Sequence, residues 1–436
     1  MGNNKIDCDI LNFEWGTNSR DTNIVEPVLC YLEKYYNLKI IRESYEMFMW
    51  KLEHIRPRMV LVSNYMGAKE NVLLVKRAND LGIKTVSLIS EGNIISSNVS
   101  EFFYGNNTER HKYIDLFLLW SERSKKLILD NIAEAYGYNI EVSGGTGFDR
   151  YKLFKFINKN EFLNNFNKTN RNVVGIASWG FDQIYDAKRN HKSLSNYNSD
   201  EIDYLYETRG VLNSYYNKLI SNNPETLFVL KYHPGCLYTK EKTEFAGLDC
   251  YENTISICTE YPVSDIISAS DFWISFDSTT NLEAWLLNKT TISIIPNGGN
   301  FIHSNIIDGN PKVKDYNELE SAFNEFFSSG ELKSFTALSQ IRDKIIEDTI
   351  GFKDGMNYKR AGEFIYKLFS CEKVKIRQNK YFLDSVLEKI KEIRLAVIIH
   401  TPLGYMFKNV NRLRLRNKLY SYKDRIEERK KYLEVV

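Results

Sequence analysis

A chain of 436 residues, 43% hydrophobic and 26% charged with a formal net charge of +2, is ordinary for a globular protein but too long for one core. No apolar run approaches the roughly 18 residues of a spanning helix, and the first residues hold no apolar signal region, so the expectation is a cytoplasmic protein. Six cysteines without CxxC spacing exclude a disulfide framework and a zinc site, and fit a reducing compartment.

The net charge hides an asymmetry. Cys371 to Val436 holds 17 Lys and Arg against 8 Asp and Glu, about +9, which leaves about −7 on residues 1–370. The body is mildly acidic and the tail basic.

In chain order, short apolar runs alternate with amphipathic stretches. Ile6 to Phe13 reads as a strand and Ile24 to Tyr36 as a helix. Leu38 to Arg42 is a second strand, followed by a helix from Tyr45 to His54. Met59 to Ser63 is a third strand, Gly67 to Asp80 a helix, Lys84 to Ser90 a fourth strand, and Ile114 to Trp120 a later one. Strands alternating with helices of this length predict a parallel sheet covered on both faces, with ligands off the carboxyl ends of the strands. The strand ends Gly16-Thr17-Asn18, Asn64 to Gly67 and Ser90-Glu91-Gly92-Asn93 are therefore candidates. Glu91, directly after a buried strand, is a carboxylate aimed at the ligand edge, and Gly92 would let a ligand approach closely. A helix cap or a loop charge explains Glu91 equally well.

Glu141 to Arg150 contains three glycines but no GxGxxG, so a dinucleotide fingerprint is not supported. It reads as a turn closing a first domain, residues 1–157. The polar, Asn- and Lys-rich stretch 158–171 reads as a linker. Asp7-Cys8-Asp9 has the DxD form of a divalent-metal motif, but at the beginning of a strand it sits away from the ligand edge.

Asn172 to Ala177 restarts the pattern and ends in Ser178-Trp179-Gly180. A helix from Glu201 to Ser221 follows, then the strand Thr226 to Tyr232, which includes Lys231 and ends in His233-Pro234-Gly235. Pro234 holds the backbone of His233 extended, so its imidazole is presented at a strand end, where it can meet a phosphate or a leaving oxygen. Further on come the strand Thr254 to Cys258, the helix Val263 to Ala269, and the strand Phe272 to Ser275. That strand runs into Ser278-Thr279-Thr280 and the helix Asn281 to Leu287, a hydroxyl cluster at a helix start that suits an anion. The same residues have a structural reading, since Thr280-x-x-Glu283 has the form of a capping box. Ser278 and Thr279 are accordingly assigned to ligand, and Thr280 with Glu283 to the cap. Thr291 to Pro296 is a last strand, and Asn300 and His303 in the loop beyond it are candidates to approach a nucleotide. The expected fold is α/β: two doubly wound Rossmann-type domains (1–157 and 172–325) facing across a cleft, then returning helices (326–370) and a helical basic extension (371–436).

This set of short motifs resembles the GT-B-fold bacterial sialyltransferases and the related nonulosonate and Kdo transferases. In that family an acidic-acidic-Gly loop stands in the first domain, and His-Pro and Ser-Ser/Thr stand in the second. Ser90-Glu91-Gly92, His233-Pro234 and Ser278-Thr279 match in order and domain, over roughly residues 1–330. Ser90 replaces the first acid, leaving one carboxylate. The resemblance implies an inverting, metal-independent transfer of an acidic sugar from a CMP-sugar to a surface glycan, with no cofactor. It makes Glu91 the base, His233 the phosphate partner or acid, and Ser278 and Thr279 phosphate ligands. Independently of the resemblance, Gly92, Ser178, Gly180, Lys231, Pro234 and Asn300 are candidates to line the nucleotide by their places at or near the strand ends.

Glycerophosphotransferases using CDP-glycerol share the second-half features but need a His-Gly turn in the first domain. His54 and His111 do not supply one. A non-enzymatic nucleotide- or sugar-binding protein is the third reading.

In the tail, Tyr381 to Ile399 is amphipathic, Thr401 to Gly404 breaks it, and Tyr405 to Glu434 follows with Arg412, Arg414 and Arg416 beside Met406, Phe407 and Val410. A basic amphipathic segment suits an anionic membrane surface, here the inner face of the cell membrane. An appendage packed on the protein, or one forming a homo-oligomer, fits the pattern equally. Nucleic acid is not expected as a partner.

Overall fold

A computed structural model describes residues 8–14, 19–45, 48–96, 99–110, 112–182, 198–233, 240–296, 301–371, 381–400 and 426–436. The chain forms two compact units, one of residues 1–154 with 347–436 and one of residues 155–346.

The first unit is built on six parallel strands: β1 Ile10–Glu14, β2 Ile40–Ser44, β3 Met59–Val62, β4 Lys84–Leu88, β5 Leu116–Leu119 and β6 Ile140–Val142, in the order β2-β1-β3-β4-β5-β6. All four residues of β3 and of β5 are buried, as a parallel sheet covered on both faces requires. On one face Ile10, Met59, Leu61, Val86 and Leu116 meet Val25, Val28 and Leu32 of the helix Ser19–Tyr36, and Ala361 and Ile365 of the helix Asn357–Ser370. Gly362 makes that helix contact possible, because a Cβ there would lie 2.4 Å from Tyr31 Cδ1. The helix begins on Asp149, whose carboxylate accepts from the backbone N–H of Asn357 (3.2 Å) and of Tyr358 (2.7 Å).

The second unit repeats the plan with β7 Asn172–Ala177, β8 Thr226–Lys231, β9 Thr254–Ile257, β10 Phe272–Ser275, β11 Thr290–Ile294 and β12 Lys312–Val313, ordered β12-β11-β10-β7-β8-β9 and parallel throughout. The period of two sorts its side chains. Val174, Ile176, Phe228, Leu230, Phe272 and Ile274 face Leu212, Tyr216 and Leu219 of the helix Ser199–Asn222. Val173, Leu227, Val229 and Trp273 face the other way, onto Phe162, Ile266, Ile267 and Ala284.

Three details go beyond the sequence reading. Residues 158–171, read as a linker, contain the helix Lys159–Asn165, capped by Asn158 Oδ1 accepting from Glu161 N at 3.0 Å. Phe162 and Leu163 anchor it, and two apolar residues in fourteen are too few to register as a period. The helices Val99–Tyr104 and Glu122–Asn131 leave no clear period in the sequence for a similar reason, being short or largely polar. For the end of the tail, the structure follows the reading of an appendage packed on the protein. The helix Ile426–Val435 packs on the first unit, with Tyr432 fully buried against Phe154 and its hydroxyl 3.1 Å from the Asn23 side chain. Residues 401–425, with Arg412, Arg414 and Arg416, lie outside the described residues.

Candidate functional site

In a doubly wound sheet the ligand crevice forms where neighbouring strands send their connections to opposite sides, because the loops part there. In the second unit that point lies between β7 and β10: β8 and β9 follow β7 on one side, and β10 and β11 lie on the other. The register aligns Ala177 with both Ser275 and Lys231. Ser178 therefore stands one residue past a common level, His233 two past it and Ser278 three past it, on three adjacent strands about 4.8 Å apart. The fold brings these three predicted residues to one edge of one sheet.

Each is held differently. Ser178 is buried; its N–H donates to Lys231 O (2.9 Å) and its hydroxyl to Glu244 Oε2 (3.1 Å). Trp179 N donates to Glu244 Oε1 at 3.0 Å, so one buried carboxyl carries the whole turn. Gly180 closes it at φ +94°, a left-handed conformation that glycine adopts without strain. Burial pushes the Glu244 carboxyl up to about 7, against the pull of the Trp179 amide and the Ser178 hydroxyl. Nothing in its sequence neighbourhood marks Glu244, which follows no predicted element.

His233 is exposed at the end of the β8 strand. Lys231 is not: its ammonium is buried and donates to the carbonyls of Tyr232 (3.0 Å) and Cys258, tying the ends of β8 and β9 together. That corrects the expectation of a cation open to the nucleotide. Pro234 and Asn300 lie outside the described residues.

The hydroxyl cluster divides differently from the expectation. Thr279 occupies the cap position of the seven-residue helix Thr280–Leu286 with helical backbone angles, so a Thr280–Glu283 capping box does not form. Instead Ser278 Oγ accepts from Thr280 N (3.3 Å) and shares a hydrogen bond with Thr280 Oγ1 (3.0 Å), which also accepts from Trp273 Nε1 (3.1 Å). Ser278 is half-buried and Thr279 exposed. Immediately before them, Asp277 accepts from Ser304 N (2.9 Å) and Ser304 Oγ (2.6 Å), which pins the loop after β11 to the end of β10. His303 Nδ1 lies 3.3 Å from Asp277 Oδ2, within ion-pair reach but without hydrogen-bond alignment. Its ring packs among Phe276 and Phe301 at 5.3 and 4.9 Å. Trp179 joins the same aromatic group, 5.7 Å from Phe276 and 6.0 Å from Phe301. An anion here would meet hydroxyls and strand-end amides over an aromatic floor, with the Asp277 charge turned toward Ser304.

In the first unit Glu91 is exposed, three residues beyond the end of β4. Gly92 has a packing reason: a Cβ would lie 2.2 Å from Trp120 Cδ2, and its carbonyl accepts from Ser124 Oγ (3.0 Å). The ring of Trp120, not a ligand, fills the space the glycine leaves. Asn93 accepts from Arg123 (2.8 Å), which steadies the loop. His54 bonds Trp50 O within its own helix (2.9 Å), and Asp9 accepts from Lys39 N (2.9 Å). His111, Asp7 and Gly16-Thr17-Asn18 lie outside the described residues. Among the described residues no cluster of metal-ligating side chains is found.

Comparison with solved structures decides the fold family. The chain is similar to S. aureus MnaA in a UDP co-structure (14% identity, TM-score 0.52, covering 85% of this chain and 100% of that one). It is similar to a putative UDP-N-acetylglucosamine 2-epimerase from Listeria monocytogenes (13%, 0.54, 86% and 100%). A third is the UDP-GlcNAc 2-epimerase from Neisseria meningitidis bound to UDP-GlcNAc (15%, 0.50, 82% and 100%). The fold is GT-B-like. No protein-family model matches the chain, and no curated protein sequence matches it. A GT-B-like chain thus presents, at the switch point of its second sheet, the two serines and the histidine that its sequence singled out.

Proposed function

We propose that this chain is an inverting, metal-independent glycosyltransferase that moves an acidic sugar from a CMP-sugar to a glycan acceptor. The observation that carries the reading is the pairing of Ser178 and Ser278 on the two sides of the β7/β10 switch point, with His233 on the next strand. That arrangement suits a phosphate held by neutral donors. The choice of cytidine monophosphate and of an acidic sugar comes from the motif resemblance. The solved neighbours carry UDP or UDP-GlcNAc, which makes a uridine nucleotide the natural competitor.

In the proposed reaction the Glu91 carboxylate takes the proton of an acceptor hydroxyl, whose oxygen forms a bond to the anomeric carbon. The bond from that carbon to the phosphate oxygen breaks in the same displacement, which inverts the centre. CMP leaves with the electron pair, its added charge met by His233 and by the hydroxyls of Ser278 and Thr279. Lys231 has no part in it.

The test incubates the protein with a CMP-activated acidic sugar, CDP-glycerol and UDP-GlcNAc, and follows nucleotide release by chromatography. CMP release that needs an acceptor, lost in Glu91→Ala while calorimetry still detects CMP, supports the proposal. Ser278→Ala is expected to weaken CMP about tenfold, the size of one hydrogen bond to a charged group. Glycerophosphate transfer from CDP-glycerol, or release or epimerisation of the UDP-sugar alone, would overturn it.

A further inference from the structure

We propose that the outward face of the helix Phe382–His400 is a docking surface for an anionic lipid bilayer. This goes beyond the transfer reaction and does not depend on which donor is used.

The helix is fastened to the first unit along one side. Trp50 N donates to Glu388 Oε2 (3.1 Å), and the Lys389 ammonium lies 4.8 Å over the Trp50 ring. At its start Tyr381 N donates to Glu53 Oε1 (3.0 Å), and the Arg77 guanidinium sits 4.0 Å over the Tyr381 ring. Ser385 and Ile398 are buried. Orientation is thus set by specific contacts on the inner side.

The outer side is largely apolar and exposed. Leu383 is 75% exposed, Leu387 58%, Ile390 59% and Ile393 58%, and Val397 and Phe382 are exposed as well. Spacings of three and four residues stack them on one stripe, roughly 22 Å long from Phe382 to Val397 at 1.5 Å per residue. Asp384 and Glu388 stand roughly 120° or more from the middle of that stripe, at 100° per residue, whereas Arg394 lies inside it. A solvent-facing helix would distribute charges there. A helix lying in a membrane surface shows this division, with long cations reaching out to the phosphates. No described helix is long and apolar enough to cross a membrane, so the stripe would lie in the plane of the surface.

Charge selects the bilayer over a second copy of the chain. The helix itself is balanced, three cations against three acids, as is 426–436. All of the tail's excess sits in the stretches of sequence on either side of the helix: 372–380 has four Lys and Arg against one acid, and 401–425 has seven against one. A second copy carries the same excess of positive charge, so charge complementarity does not favour it as the occupant. Anionic headgroups would neutralise that excess while the stripe leaves water.

The experiment co-sediments the full chain with vesicles of phosphatidylcholine alone and of phosphatidylcholine mixed with phosphatidylglycerol, at low and high salt. Pelleting with the anionic vesicles only, weakened by salt and reduced at least about tenfold in Leu387→Glu/Ile390→Glu, is the expected result. Leu387→Gln/Ile390→Gln, with thermal unfolding and sedimentation velocity, guards against a folding defect. Pelleting of either folded variant like the wild type overturns the proposal. So does a wild-type dimer that dissociates in the variants without any vesicle binding, which assigns the face to a second copy. A wild type that ignores vesicles while the variants lose stability overturns it too, because the face is then covered from within the chain.

Discussion

Arg429 Nη2 lies 2.6 Å from Glu14 Oε1, joining the last described helix of the chain to the final residue of the first strand. The pair belongs to a larger group: Arg429 Nε is 3.2 Å from Glu26 Oε2, and Arg42 binds both Glu26 and Glu33. Glu14 and Glu26 are buried, so their charges depend on these guanidinium groups. Removing one partner of a buried pair costs about 3–5 kcal/mol, because the other is left charged in a poorly solvated place. Arg429→Ala should therefore lower the urea midpoint of the first unit's unfolding by a corresponding amount. An unchanged midpoint would mean that the terminal helix adds nothing to that unit.

Gly92 makes the second case. The Trp120 ring occupies the place of its missing side chain. Gly92→Ala should displace that ring and cost about 1–3 kcal/mol, as overpacking of a tight interior does. The fluorescence of the variant and its thermal transition would report it. A variant with native stability but weakened nucleotide binding would instead favour direct ligand contact at Gly92.

The third prediction concerns pH. The buried Glu244 carboxyl is raised from an ordinary 4.5 to about 7, and buried Asp149 moves in the same direction, also to about 7. Between those values the folded protein keeps a proton that the unfolded chain has released. Stability from such a group is complete below about 4.5 and declines as pH rises to about 7, by about 3 kcal/mol at most for Glu244. Glu244→Gln keeps an acceptor for Trp179 N without the charge. Its urea midpoint should match the wild type near pH 5 and exceed it above pH 7. Parallel curves across that range would remove Glu244 as a titrating group, and Asp149 cancels in the comparison.

A fourth follows from the loop pinned by Asp277. Ser304→Ala removes the 2.6 Å hydrogen bond but leaves the Ser304 N–H in place. A hydrogen bond to a charged group contributes about 1.5–3 kcal/mol. Amide exchange around Phe301 to Ser304 should quicken, with little change in the helix Ser199–Asn222. Uniform exchange rates in the variant and the wild type would show that the loop is held by its aromatic packing instead.

Much of the architecture was legible because parallel strands covered on both faces must be apolar along their length. Runs such as Met59 to Val62 and Thr226 to Lys231 therefore announce themselves without neighbours. The edge strand Lys312–Val313 did not, since two residues form no pattern. Ser178, His233 and Ser278 were legible as strand-end polar residues. Lys231 misled for a related reason: its position in the strand was evident, but whether its ammonium meets solvent or carbonyls depends on the β9 strand beside it. Glu244 and the Asp277–Ser304 link were illegible, because each joins residues 27 or more positions apart.

What the order of residues determines here is local: which stretches alternate, which runs are buried on both sides, and which polar groups follow a strand. Periodicity and the stiffness of Pro and Gly act over a few residues, so one chain read alone carries that information. Which strand ends become neighbours was decided only by the sheet order, which puts β7 beside β10, nearly a hundred residues later, and so sets Ser178 across from Ser278. The same holds for burial. A carboxylate such as Glu14 or Glu244 looks soluble in the sequence, and only packing against distant elements removes its water and gives it a partner.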